Sequence, residues 1–507
     1  MLGQASSTGQ GVRHGAGTSA RHLGPTGSFR CGPGLRYHGA MWSRLVTPLD
    51  PAAAASRLRA NGPRRLSGLA LLDSAMRHDT LGRYSYLAAD PFGSFRVRGG
   101  QAFWNGVGVP GAPLAALKAV LAPWRTEPDP ALPPFQGGAI GYMAYDFGAS
   151  LERVAPPARR AGLTHDLAFD LYATLVAFDH RAGTCHLIAT GFPETDLGAR
   201  ARKAASDLDV LEAALNGPEP AGEAIPVPPL AWRSNFTAES YAQAVERVRD
   251  YIRAGDIYQA NIAQRFEAAL PPGFDAFAFY RRLRARNPAP FAAYLEFDGL
   301  TVASSSPERF LRLDDRQVET RPIKGTAPRA ADPAEDRARA EALLASAKER
   351  AENVMIVDLL RNDLSRICAP HSVAVPTLCG LETYAGVHHL VSAVTGTLRE
   401  GADGLDLLGA TFPGGSITGA PKLRAMDIIT EIEGDARELY CGAIGWIGFD
   451  GSLDTSIAIR TVLMDETRAV LQAGGGVTLL SDPEAEYHET LIKAERVFSA
   501  FASGEGA

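Results

Sequence analysis

The spacing of apolar positions changes period several times along the chain, and each change marks an element. Between residues 237 and 254, Tyr241, Val245, Val248 and Ile252 recur at steps of three and four. That is the spacing of one helical face, and Thr237 stands where a hydroxyl caps a first turn. The pattern also predicts helices over residues 113–124, over the charged, Ala-rich stretch 332–346, over 349–367, and from Asp482 onward. Shorter apolar runs predict strands at 69–72, 167–176, 262–268, 291–296, 300–304 and 309–313. Three more follow near 441–449, 456–464 and 469–472. Residues 216–229 interrupt the pattern with five prolines and two glycines, the composition of an exposed connection. Strand runs interspersed with long helices read as an α+β fold.

Composition narrows the class. The chain has 507 residues, 46% hydrophobic and 21% charged, as in an ordinary soluble globular protein. A net charge of -6 carries no basic footprint for nucleic acid, and no apolar run is long enough to span a bilayer. The five cysteines, Cys31, Cys185, Cys368, Cys379 and Cys441, are scattered without a Cys-x-x-Cys pair. Their spacing argues for a reducing, cytoplasmic setting and against a disulfide framework or zinc site. The first forty residues hold ten glycines and no Asp or Glu, and read as a disordered extension upstream of Met41. The expected organisation is thus an extension at 1–40, an N-terminal region at 41–215, a Pro-rich connection at 216–232 and a motif-rich region at 233–507.

Several segments in that last region can carry chemistry. Lys324 stands in Arg321-Pro322-Ile323-Lys324-Gly325-Thr326, sixteen positions after Glu308. A lysine among apolar and glycine neighbours can lose enough solvation to become a nucleophilic amine; a solvated surface lysine is the plainer alternative. On the C-terminal helix, Glu486, Glu489 and Lys493 fall at i, i+3 and i+7 and share one face. Glu349 and Glu352 share a face on the 349–367 helix. A solvated stripe on the C-terminal helix, and a polar helix start for Glu349 and Glu352, are the plainer readings. Were the two helices to converge, their carboxylates would form an oxygen-rich site with few protein ligands, which suits Mg2+. Gly474-Gly475-Gly476, expected as a turn after a strand, and the turn at 414–419 offer backbone N–H groups to an anion. Arg460 ends an apolar strand, as either an edge charge or a carboxylate clamp, with Tyr440 as a candidate beside it.

Together these segments resemble the chorismate-utilising enzymes. The resemblance rests on Ser234-Asn235-Phe236-Thr237, Ala254-Gly255-Asp256-Ile257-Tyr258-Gln259, Ser306-Pro307-Glu308-Arg309-Phe310 and the Lys324 segment. It continues through 352–363, 388–392, 412–422, 458–461 and 486–493, in the family's order. The 41–215 region matches more loosely, through Leu71-Leu72-Asp73-Ser74 and Arg83-Tyr84-Ser85-Tyr86. The resemblance implies a two-lobed α+β fold of two large, mainly antiparallel sheets packed together with helices outside. It makes 233–507 the chorismate-binding catalytic region. Lys324 is the discriminating position: family members that make anthranilate, isochorismate or salicylate typically carry Ala there. The branch that aminates chorismate at C4, aminodeoxychorismate synthase component I, carries Lys.

The resemblance also implies roles. Glu352 and Glu489 would bind Mg2+, with Glu486 nearby. Ser416 and the Gly474, Gly475 and Gly476 amides would hold the ring carboxylate of chorismate, and Arg460 and Tyr440 its enolpyruvyl carboxylate. Lys324 would attack the ring at C2, Glu308 would move protons, and His389 would lie near the departing hydroxyl. Lys493 would support the carboxylate-rich site. Gln259 stands where isochorismate-forming relatives keep a water-activating Lys. One departure is Ala327, where the family often has Arg after Gly-Thr. No cysteine sits on the Gly-flanked elbow that glutamine hydrolysis needs, so ammonia is expected from a separate glutamine amidotransferase. Anthranilate synthase component I is the nearest rival. The 71–74 segment, which resembles part of its tryptophan site, leaves bound tryptophan open. A non-catalytic, amino-acid-sensing subunit is the rival of another class.

Overall fold

The computed structural model describes residues 36–38, 41–62, 66–76, 81–220, 229–384 and 386–502. Along Thr174–Asp179, Leu175 and Ala177 enter one apolar cluster while Val176 and Phe178 enter another. That is the period-two alternation of a strand covered on both faces. Repeated across the chain, it gives one sheet of 13 strands and one of 12, with antiparallel strand pairs throughout.

Three clusters define the layers. Tyr86, Val302 and Val470 of the larger sheet meet Tyr142, Ile444 and Trp446 of the smaller one between the two. The outer face of the smaller sheet, with Phe169 and Leu311, packs against helical Leu117, Ile356, Leu360 and Leu408. The outer face of the larger sheet, with Phe266 and Leu471, packs against Ala54, Leu208, Leu283 and Val497. The fold is therefore α+β, two large antiparallel sheets face to face with helices outside, as expected. Each large apolar side chain so buried contributes about 1.5–3 kcal/mol.

Two predicted strands are each two strands. The 167–176 run divides at Ala173: Leu167–Tyr172 lies in the smaller sheet and Thr174–Asp179 in the larger. The 456–464 run divides likewise into Leu453–Ile457 of the smaller sheet and Thr461–Met464 of the larger. Apolar period cannot reveal such a transfer, because both sheets are covered on both faces and the alternation continues across the break. The chain also changes sheet over Pro307-Glu308, between Leu300–Ser306 and Arg309–Asp314. Two crossovers are stapled together: Ser306 Oγ donates to Ile457 O at 2.5 Å, Ile457 N to Glu308 O at 3.0 Å, and Ser305 N to Arg460 O at 3.1 Å.

Capping residues set the helices as expected. Thr237 Oγ1 accepts from Ser240 N at 3.1 Å and opens Ala238–Arg253. Asp482 accepts from Ala485 N at 2.9 Å and opens Pro483–Ser499. The 349–367 helix is Ala347–Ser365, capped by Ser346. Within the N-terminal extension, Arg36–His38 forms a strand paired with Met41–Val46. The rest of the extension, and residues 221–228 of the Pro-rich connection, lie outside the described residues.

Candidate active site

The stapled crossovers open onto a cavity of about 570 Å³. Glu308 from one and Arg460 from the other face it, and Lys324, His389, Ser416 and Tyr440 line it. The helix Ala347–Ser365 contributes Glu349 and Glu352, and the helix Pro483–Ser499 contributes Glu486, Glu489 and Lys493. The two helices do converge on one cavity.

Lys324 lies on the strand Ile323–Pro328, whose register against Val387–Thr397 shifts between Ile323 and Thr326. The shift makes a local bulge, and Gly325 takes a φ of +87, which favours glycine. A bulge re-aims side chains, here turning Lys324 into the cavity. Its Nζ donates to Ser416 O at 3.0 Å. Burial pushes the Lys324 amine below its ordinary value, against the opposing pull of Glu308 and Glu352. Glu308 is pushed up to about 7 by burial, partly offset by a hydrogen bond from Ser416 and the Lys324 charge. An amine that gives up its proton more readily therefore faces a carboxyl poised near neutrality. That pairing suits nucleophilic attack with proton transfer.

The strand Arg468–Val477 forms a wall of the cavity, and it corrects the expected turn: Gly474, Gly475 and Gly476 lie within it, paired to Asn261–Ala263 of Gln259–Ala269. A Cβ on Gly475 would meet Glu486 Oε2 at 3.0 Å, so glycine lets the helix carboxylates close on the strand. Lys493 Nζ bridges Glu489 at 2.7 Å and Gly474 O at 2.8 Å. Glu352 Oε1 is buried without a hydrogen-bond partner. Burial raises the pKa of Glu352 and of Glu486, whereas Lys493 holds Glu489 below its ordinary value despite burial. Among the described residues no three acidic, His or Cys side chains form a ready-made metal cage. An orphaned carboxylate oxygen facing sparse acidic partners fits a cation that keeps several waters, as Mg2+ does.

Arg460 holds a φ of +51 at its crossover. Its guanidinium is pushed down to about 10 by burial and by the neighbouring Arg496 charge. No carboxylate among the described residues pairs with it, and an enclosed guanidinium without an anion is set to receive one. Tyr440 is buried and lines the same cavity. His389 is pushed down to about 4, mainly by burial, and its Nδ1 meets Thr326 Oγ1 at 2.8 Å, so the ring is neutral near pH 7. Gln259 alone of the predicted residues does not line the cavity. Its Nε2 lies 2.4 Å from where a Cβ on Gly476 would stand, and its Oε1 is buried without a hydrogen-bond partner.

Sequence reading missed Lys348, Arg496, Asn261 and Gln472, which also line the cavity. Arg496 was accessible, three residues beyond Lys493 on the same helical face. Asn261 and Gln472 were not, since nothing in their strands distinguishes an inward amide from a packed one. A second cavity, of about 610 Å³, is lined by Leu72, Asp73, Ser74, Tyr84, Phe291 and Arg309, among others. Arg309 and Glu308 are consecutive, yet they face different cavities.

This architecture and site were compared with known proteins. A family model described as chorismate binding enzyme matches residues 72–499. Aminodeoxychorismate synthase component 1 of Salmonella typhimurium is 42% identical over 387 residues, covering 76% of this chain and 81% of that protein. Anthranilate synthase component 1 of Mycobacterium tuberculosis is 39% identical over 481 residues, covering 91% and 92%. The crystal structure of anthranilate synthase component I from Streptococcus pneumoniae superposes with a TM-score of 0.75 at 34% identity, over 82% of this chain and 92% of that one. The chain belongs to the chorismate-binding enzyme family.

Proposed function

We propose that this chain aminates chorismate at C4 with ammonia, giving 4-amino-4-deoxychorismate for p-aminobenzoate and folate synthesis. The observation that carries the reading is Lys324: an enclosed amine of depressed basicity, aimed into the cavity across from Glu308. Lys324 would attack C2 of the ring as both ring double bonds shift, C1=C2 to C6=C1 and C5=C6 to C4=C5, and the C4 hydroxyl leaves as water, protonated by Glu308. Ammonia would then form the C–N bond at C4, both double bonds would shift back, and the lysine nitrogen would leave C2. The proton shed by the incoming nitrogen would return to Glu308, so the net change is ammonia in and water out. His389, neutral near pH 7, would orient the departing hydroxyl by hydrogen bonding rather than by charge.

Arg460 and Tyr440 would grip the enolpyruvyl carboxylate, and Ser416 with the Gly474–Gly476 backbone the ring carboxylate. Glu352 and Glu489, with Glu486 alongside, would hold Mg2+, whose charge would neutralise that ring carboxylate. Lys493 would keep Glu489 ionised and in place.

A separate glutamine amidotransferase would supply the ammonia. In support, Cys185, Cys368 and Cys441 are buried, with thiols pushed up to about 11 or 12, poor nucleophiles near neutrality. The second cavity, walled by Leu72, Asp73 and Ser74, would take a tryptophan-like amino acid. The second reading is anthranilate synthesis, favoured by the 39% identity that covers 91% of the chain. Incubating the chain with chorismate, Mg2+ and ammonium, with and without aminodeoxychorismate lyase, separates the two. Lyase-dependent p-aminobenzoate is expected; anthranilate formed without the lyase would overturn the C4 reading.

A further inference from the structure

Behind the cavity wall lies a buried ion pair that the mechanism above does not use. Arg437 is 1% exposed, and Glu433, the last residue of the helix Lys422–Glu433, is also buried. Arg437 Nε donates to Glu433 Oε2 at 3.0 Å and Nη2 to Oε1 at 2.7 Å. Stability alone gives little reason for such a pair, since apolar replacements of similar volume are often as stable. The rest of the guanidinium fork is more informative. Nη1 donates to Ile417 O at 3.1 Å and Nη2 to Asn261 O at 2.5 Å. The guanidinium lies 5.6 Å from the Tyr440 ring centroid, and the Arg437 carbonyl accepts from Gln472 Nε2 at 3.0 Å. Ile417, Asn261, Tyr440 and Gln472 all line the catalytic cavity, whereas Arg437 does not. Ile417 directly follows Ser416, whose carbonyl accepts from Lys324 Nζ and whose hydroxyl bonds Glu308.

We propose that Arg437 is a positioning residue: through Ile417, Asn261 and Tyr440 it fixes the wall against which Lys324 and Glu308 are held, and so tunes the Lys324 amine. The proposal rests on the reading of Lys324 as the reacting amine. Only a planar fork can reach Glu433, Ile417 O and Asn261 O at once; a lysine ammonium would satisfy the charge and lose the geometry.

The test is Arg437→Lys in the full chain, read in two ways. Competitive acetylation across pH, with peptide mass spectrometry, follows Lys324 without any substrate. We expect its labelling midpoint to rise by about one pH unit as the loosened wall admits water. Ammonium-dependent turnover of chorismate should lose about tenfold or more in kcat, with KM within about threefold. A purely structural residue would lower the thermal midpoint and leave both readouts unchanged; that result overturns the proposal. If Arg437→Lys does not fold, Glu433→Met with Arg437→Met removes both charges together, and the same two readouts apply. A chain that turns over no chorismate, yet shifts Lys324 labelling on Arg437→Lys, would refute the function proposed above and uphold the positioning role.

Discussion

Lys324 and Glu308 show how burial shifts the acid–base behaviour of ordinary side chains. Neither residue is unusual in type, and the sequence offered only their spacing and glycine neighbours. The bulge at Gly325 and the carbonyl of Ser416 supply what spacing could not: direction and desolvation. Replacing Lys324 with Ala should cut ammonium-dependent aminodeoxychorismate formation by about 100-fold or more, the scale on which positioned reacting groups act. An unchanged rate would remove the covalent role. Glu308 makes a second prediction, through stability. Its folded pKa, about 7, lies above the ordinary 4.5, so between those values the folded state binds the extra proton. Stability from this group is therefore lost as pH rises from about 4.5 to about 7, by roughly 3 kcal/mol in total. Glu308→Gln escapes that loss, so its denaturant-measured advantage over the unsubstituted chain should grow from pH 4 to pH 8. A pH-independent difference would show that Glu308 is not held protonated.

At the scale of elements, the site is assembled from places where regular structure stops or changes hands. Glu308 and Arg460 sit at the crossovers between the sheets, and Lys324 on a bulge. The helical faces were legible from the sequence, because a 3.6-residue period puts Glu486, Glu489 and Lys493 in line whatever surrounds them. The glycine wall was misread as a turn, since three glycines look alike as a bend and as a flat strand approached closely by side chains. Gly475→Ala tests the flat reading. Its methyl group would press on Glu486 Oε2, 3.0 Å from the Cβ position, without touching the apolar core. We expect the Mg2+ concentration for half-maximal activity to rise by about tenfold, with the thermal midpoint little changed. Glu489→Gln should move the same titration in the same direction. An unaltered Mg2+ dependence in both would refute the carboxylates as metal ligands.

For the whole molecule, the two stacked sheets leave two cavities lined by close neighbours along the chain. Pro290–Ala293 and Arg309 line one cavity while Asn287, Pro307 and Glu308 line the other. The cavity holds no cysteine among its described walls, and on the C4 reading proposed above ammonia would reach it from outside. The chain alone should therefore use ammonium well and glutamine poorly, gaining glutamine-dependent turnover when a glutamine amidotransferase is added. Equal use of glutamine and ammonium by the purified chain would end the case for that partner. No helix among the described residues is long and apolar enough to cross a membrane.

What the sequence by itself determined is whatever depends on neighbours along the chain: helical faces, caps at Thr237 and Asp482, the α+β mixture, and the ordered motifs that mark a chorismate-utilising enzyme. What only the tertiary structure decided is whatever depends on contacts across hundreds of residues. It divided two apolar runs between two sheets and brought the helices of Glu352 and Glu489 to one cavity. It also placed the Arg437 fork against Ile417 and Asn261. The physical reason is that local periodicity reports only that a face is covered, while the covering partner is chosen by the packing of the whole chain.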